Sequence, residues 1–180
     1  MHHFPITPVI DDGRLHDPDL RENFIERVFV YNRWKEFLRR GGLIKDLIIF
    51  HTEHKFLILS HSPKHFTDLG RLVAKAKTLE REELHAEYAK RLMEGLSLLA
   101  THKKNTNVLQ HIMGYFKKQL SADEKQEFLE VIENYRKGYL PLIVPMVLVN
   151  HYNRRFHEPY LKRQHYLTPH PFELMLRNHG

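Results

Sequence analysis

Two sets of residues have the types and spacing to do chemistry: cations placed for phosphate, and histidines placed for a metal ion. In Asn150-His151-Tyr152-Asn153-Arg154-Arg155, helical spacing puts Asn150 and Arg154 on one face and His151 and Arg155 on the next. Guanidinium groups fit phosphate oxygens bidentately, and Tyr152, Tyr160 and Tyr166 are candidates to stack on unpaired bases. The alternative is a solvated helix end whose cations favour the C-terminal dipole. A second stripe holds Asn107, His111, Gly114, Tyr115 and Lys118, with Gln110 and Lys117 alongside. It borders the apolar Val108, Leu109, Ile112, Met113 and Phe116. Glycine in mid-helix costs about 1 kcal/mol relative to alanine, so Gly114 implies a close approach to the backbone, by a neighbouring helix or by a polyanion. Lys64 and Arg71 after Ser62-Pro63, Lys103 and Lys104 ahead of Asn107, and Lys162 and Arg163 complete the candidate basic surface. The amides at the start of the Ser62-Pro63 helix add a further phosphate acceptor.

The metal reading begins from fifteen histidines. His51 and His54 lie three apart on one helix with Glu53 between them, and His61 and His65 bracket the next helix start. Two helical histidines can share a metal, but a catalytic zinc needs a third ligand and an orienting shell, so His51, His54 and His61 stand as the alternative site. No HExxH motif occurs. His85-Ala86-Glu87 matches half of a deaminase signature whose Pro-Cys-x-x-Cys half is missing. The chain has no cysteine, which excludes disulfides, a thiolate nucleophile and cysteine-held zinc or iron-sulfur centres within it. It also lacks the G-x-S-x-G elbow, the P-loop and the G-x-G-x-x-G turn. No catalytic residue, metal ligand or cofactor is assigned, and the expected function is not enzymatic.

The 180 residues are enough for one core. The net charge of +6 is unevenly placed, because residues 49–104 carry 10 Lys and Arg against 7 Asp and Glu, and residues 139–180 carry 5 against 2. Those are the two segments that hold most of the candidate cations. The longest apolar run, Tyr139 to Val149, contains Pro141 and Pro145 and falls short of the roughly 20 residues a membrane span needs. The start, MHHFPITPVIDDG, has no basic then apolar leader, so the expected location is the cytoplasm.

The elements that would position these residues are helical. Asp17-Pro18 caps a helix in which Leu20, Phe24, Val28, Tyr31 and Phe37 recur until Gly41-Gly42. A dense apolar helix follows from Leu43 to about Ser60, then a short one after Ser62-Pro63. Thr78 is the expected cap of a helix reaching about Leu99, and Thr101 to Thr106 reads as a polar connection before a helix from Asn107 to Gln119. Ser121-x-x-Glu124 is a capping box opening a helix that stops at Gly138. Pro141 then begins a helix that Pro145 should kink, and Phe172 to Arg177 forms the last. A strand reading rests only on Leu140 to Val149 and Phe4 to Ile10. The expectation is an all-α, compact single-domain bundle of seven or eight helices with an extended N-terminal arm.

Several long motifs carry a family likeness. HSPKHFTDLGRLVA at 61–74, the 39-residue stretch NVLQHIMGYFKKQLSADEKQEFLEVIENYRKGYLPLIVP at 107–145, LVNHY at 148–152 and PHPFELMLRNH at 169–179 closely resemble the bacterial YbgA-like domain family, a domain of unknown function. The likeness covers about residues 43–180. Residues 4–34 resemble the tail of the TudS-type thiouracil desulfurase domain that precedes the YbgA-like domain in fused proteins. The resemblance divides the chain into an arm and first helix at 1–40 and a YbgA-like helical domain at 41–180.

In such fusions the desulfurase half holds a cysteine-ligated iron-sulfur cluster and removes sulfur from thiouracil or from 4-thiouridine in tRNA. Without cysteine, that reaction cannot be this chain's own. The resemblance therefore implies a non-catalytic RNA-binding accessory domain that binds tRNA or structured RNA and presents 4-thiouridine to a TudS-type desulfurase domain in cis or in trans. Two other readings stay open: a histidine-based metal-dependent enzyme, and a module for protein docking or oligomerisation.

Overall fold

Four helix starts follow from single side chains. Asp17 Oδ1 accepts from the Leu20 amide at 3.0 Å, and Ser62 Oγ accepts from the His65 amide at 3.3 Å. Thr101 Oγ1 accepts from the Lys104 amide at 3.3 Å. At Ser121 the reciprocal box forms, with Ser121 Oγ accepting from the Glu124 amide at 3.2 Å and Glu124 Oε2 from the Ser121 amide at 2.8 Å. In the computed structural model, which describes residues 6–178, these caps open α1 (Pro18–Arg39), α3 (Pro63–Ala74), α5 (His102–Phe116) and α6 (Ala122–Arg136). The others are α2 (Ile44–His61), α4 (Arg81–Leu96), α7 (Ile143–Phe156), α8 (Pro159–Lys162) and α9 (Pro171–Asn178). The fold is all-α, with no strand among the described residues, so the strand reading of Leu140 to Val149 is set aside. Met1 to Pro5, the start of the expected arm, and His179-Gly180 lie outside the described residues.

Local chemistry explains where the boundaries moved. Thr78 does not cap α4; its hydroxyl donates to the Lys75 carbonyl at 2.8 Å inside a short 3-10 turn, and α4 begins at Arg81 without a side-chain cap. The polar segment after Thr101 is already helix, because Thr101 itself caps α5. Pro145 does not kink α7. The helix starts at Ile143, so Pro145 sits in its first turn, where its missing N–H would have had no intrahelical partner. Gly138, at φ +78°, ends the α6 segment in the left-handed conformation that glycine adopts without strain. The four-residue α8 supplies a ninth α-helix among the described residues.

α2 runs through the middle, with α3 and α4 against it on one side and α5 on another, while α6 and α7 pack on α5 and α9 packs on α1. Its Leu47, Phe50, Leu57 and Ile58 are buried with Leu84, Tyr88 and Leu92 of α4 and Val108, Leu109 and Ile112 of α5. The buried stripe of α1 is Asn23, Glu26, Val30, Trp34 and Phe37, not the run from Leu20 through Phe24 and Val28. Val30, Trp34 and Phe37 join the same core as α2 and α4. Two polar residues thus head a core-facing stripe, where burial costs free energy unless they find partners.

Candidate functional site

The exposed face of α5 is the first candidate. With the helix beginning at His102, Lys103, Asn107, His111 and Gly114 fall in one file, and Lys117 and Lys118 follow just past its end. All but the half-buried Asn107 are exposed. A Cβ built at Gly114 would meet nothing within 4 Å, so among the described residues no neighbouring helix packs there.

Tyr115, in the last turn of α5, is 40% exposed and stacks on Tyr160 of α8, ring centres 5.2 Å apart and planes inclined by 6°. Phe56 of α2 sets its edge against both rings, at 6.2 and 5.9 Å. Burial and the adjoining Tyr115 hydroxyl push the Tyr160 phenol well above its ordinary range. A fully buried glutamine holds α8 in place: Gln164 Nε2 donates to the Thr52 carbonyl at 2.7 Å, and its Oε1 accepts from the Phe56 amide at 3.4 Å. The next amide, His165, donates to the Glu53 carbonyl at 3.0 Å. Lys162 and Arg163 project from this tether, both exposed. Burial raises the Glu53 carboxyl and the Arg163 charge pulls it back.

The structure brings only part of the candidate basic surface together. Lys103, His111, Lys117, Lys118, Arg154, Lys162 and Arg163 form no ion pair within 4 Å among the described residues. Lys64 and Arg71 flank one carboxylate, Asp68, at 3.5 and 3.9 Å, on an α3 that packs mainly against α2 and α4. Arg155 is paired with Glu124 across the α6–α7 contact and lies over the Phe156 ring. Lys104 points inward, its Nζ donating to the carbonyls of His61 at 2.7 Å and Leu99 at 2.8 Å, and desolvation lowers its pKa. Asn150 Nδ2 donates to the Leu167 carbonyl at 3.3 Å, whereas His151 is exposed. Tyr152 and Tyr166 are buried, the first among Phe116, Phe128 and Phe156 and the second donating to Asn105 Oδ1 at 2.9 Å. Of the three tyrosines read as stacking platforms, Tyr160 alone retains a partly open ring.

The three candidate metal ligands are each engaged separately. His51 Nδ1 pairs with the Tyr88 hydroxyl at 3.1 Å, and burial holds its pKa at about 4. His54 Nδ1 donates to the Phe50 carbonyl at 2.7 Å while its Nε2 accepts from Arg33 Nε at 3.0 Å; burial and the Arg33 charge hold it far below the ordinary histidine range. His61 Nδ1 donates to the Leu98 carbonyl at 2.7 Å, leaving Nε2 facing Glu26 Oε2 at 3.0 Å. No group of three or more His, Asp or Glu side chains is placed to hold a metal among the described residues.

A second candidate escapes sequence reasoning. A cavity of about 500 Å³ opens where α1, the end of α2, the α4–α5 connection, the start of α7 and the α8–α9 segment meet. Asn23 and Glu26, the polar residues on the α1 stripe, line it with His61. Asp19 and Glu22 add two carboxylates, and buried Glu173 adds another while facing Arg33 at 3.5 Å. His102, stacked on Tyr135 at 4.9 Å, lines it as well, as do Asn105 and Tyr166. The one legible signal was a pair of polar side chains in register with Val30, Trp34 and Phe37.

The sequence model of a family described as "Protein of unknown function (DUF1722)" matches residues 55–171. A protein of Escherichia coli (strain K12) named "Uncharacterized protein YbgA" is 28% identical over 155 residues, or 86% of this chain and 92% of that protein. A span of that length does not fit behind α1, so the similarity includes part of it. No solved structure matches.

Proposed function

Since the chain belongs to the DUF1722 family, with which it shares a YbgA-like helical domain, and that family's description assigns no activity, we propose its function from its surface: a non-catalytic RNA-binding module. The preferred ligand is tRNA, and the module presents a 4-thiouridine to a desulfurase domain in cis or in trans. The observation that carries this reading is the Tyr115–Tyr160 stack, with Tyr115 40% exposed and the exposed His111, Lys118, Lys162 and Arg163 within four residues of one ring or the other in the chain. Stacked aromatic rings accept an unpaired base, and unpaired cations around them accept the flanking phosphates. The open backbone at Gly114 lets a phosphate ladder approach the helix closely.

Fluorescence anisotropy with a labelled tRNA transcript tests this. Tyr115→Ala, an exposed truncation, should weaken binding about tenfold, as expected for loss of one base–aromatic stack. Affinity equal to that of the unaltered protein would remove the stack from the interface.

A docking module is favoured by a different surface. On α7, Ile143 and Val147 are 57% and 56% exposed one turn apart, near Tyr139 at 73%, and such apolar side chains gain by being covered. Size-exclusion chromatography with and without tRNA separates the two readings: self-association independent of RNA supports docking, and a shift only with RNA supports the interface on α5 and α8.

A further inference from the structure

We infer, resting on the RNA reading above, that the α5–α8 face selects a short unpaired stretch of RNA, about three nucleotides with one base on the Tyr115 ring, and rejects the stems of the same molecule. His111, Gly114, Tyr115 and Lys118 are spaced i, i+3, i+4 and i+7, so one stripe of α5 carries the ring between an imidazole and an ammonium. The backbone stays right-handed at Lys117, which keeps Lys118 in that file. From His111 to Lys118 the rise is about 10 Å, room for the phosphates on either side of one stacked base and for little more. The charge on this stripe is available. From Gly95 to Ala122 the chain carries four lysines and no Asp or Glu. His111 and Lys118 are exposed and form no ion pair within 4 Å among the described residues.

Cations alone would hold a stem as readily as a loop, since both present phosphates. The ring decides between them. A stem hides each base face against its neighbours, so only an unpaired base lies on Tyr115 without first breaking a pair. Tyr160 backs that ring at 5.2 Å and Phe56 sets its edge against both, so the platform is formed before RNA arrives. Tyr152 and Tyr166 are buried, which leaves the platform one place for a base. Toward the other end of α5 the exposed Asp19 lines the cavity together with Thr101 and His102, and a strand prolonged that way meets a carboxylate. A site for one base with a phosphate on either side spans about three nucleotides, fewer than the roughly four to sixteen that a whole single-strand-binding fold covers.

Competition against a fluorescently labelled tRNA transcript on the full chain tests this. The competitors are a hairpin with an open uridine loop, a blunt RNA duplex with as many phosphates, and oligouridylates of increasing length. The hairpin should compete about tenfold better than the duplex, and oligouridylate affinity should climb steeply to about three nucleotides and then level off. Tyr115→Ala should bring hairpin and duplex to the same affinity, and Tyr115→Phe should restore the difference, a pattern that misfolding would not produce. The inference is overturned by a duplex that competes as well as the hairpin, by oligouridylate affinity that keeps climbing with length, or by a Tyr115→Ala variant that keeps the preference. Failure of the transcript itself to bind removes the RNA reading and this inference with it. A transcript that binds while the hairpin does not compete removes this inference alone.

Discussion

The two ends of α5 carry opposite chemistry. Its N-terminal turn, with Thr101, His102 and Asn105, looks into a cavity edged by four carboxylates, and its C-terminal end carries Tyr115, Lys117 and Lys118 into solvent. The cations past the C-terminal end run with the helix dipole, whereas the first turn carries Lys103 and Lys104 and no acid, the nearby carboxylates coming from α1 and α9. A net charge of +6 conceals this separation. What matters for function is which charges are already engaged: Glu26, Glu173, Lys104 and Arg155 hold the fold together, while Lys118, Lys162 and Arg163 form no ion pair within 4 Å among the described residues.

The largest expected effect comes from reversing the cationic end. Lys118→Glu combined with Arg163→Glu should lower tRNA affinity at least about 100-fold and flatten the dependence of log K on log salt by roughly one unit per lost phosphate contact. Glu22→Gln, at the acidic end, should leave tRNA affinity unchanged. Similar losses from both variants would mean that RNA covers the whole of α5 and that the separation has no functional meaning.

The helix starts were legible because Asp17, Ser62 and Ser121 act within three residues of themselves. The cavity was not, because Glu26 and His61 are 35 residues apart and neither sits in a motif. Lys104 and Tyr152 show the same limit from the other side. Each has the residue type an RNA surface wants, and only tertiary packing turns them inward. Gly114 was read as a point of close approach by a neighbouring helix or a polyanion, and among the described residues no neighbouring helix meets it.

A smaller effect should follow from loosening the tether of the aromatic platform. Gln164→Ala leaves the buried Thr52 carbonyl and Phe56 amide without its side chain and should cost about 2 kcal/mol of stability, read as a lower urea midpoint. It should also weaken tRNA binding, since Tyr160 and Arg163 ride on the same segment. Stability lost without loss of RNA affinity would detach α8 from the interface.

Acid should weaken the fold through its buried imidazoles. His51 and His165 have folded-state pKa values of about 4 against an ordinary 6.5, so the unfolded chain takes up protons first. The stability they confer is complete above about pH 6.5 and erodes as pH falls from there toward 4. Thermal melting at pH 5 should therefore occur below that at pH 7; equal temperatures would show that these rings are protonated in the folded state. The smallest change belongs to the cap of α6. Ser121→Ala should cost about 1 kcal/mol through the lost cap, and RNA affinity should not move.

The most direct measurement is ultraviolet cross-linking of the full chain to a tRNA containing 4-thiouridine, followed by mass spectrometry of the modified peptides. Cross-links should map to residues 111–118 and 160–163. Cross-links confined to α3 at Lys64 and Arg71, or to the cavity mouth at Asp19 and Glu22, would contradict the placement of RNA on α5 and α8.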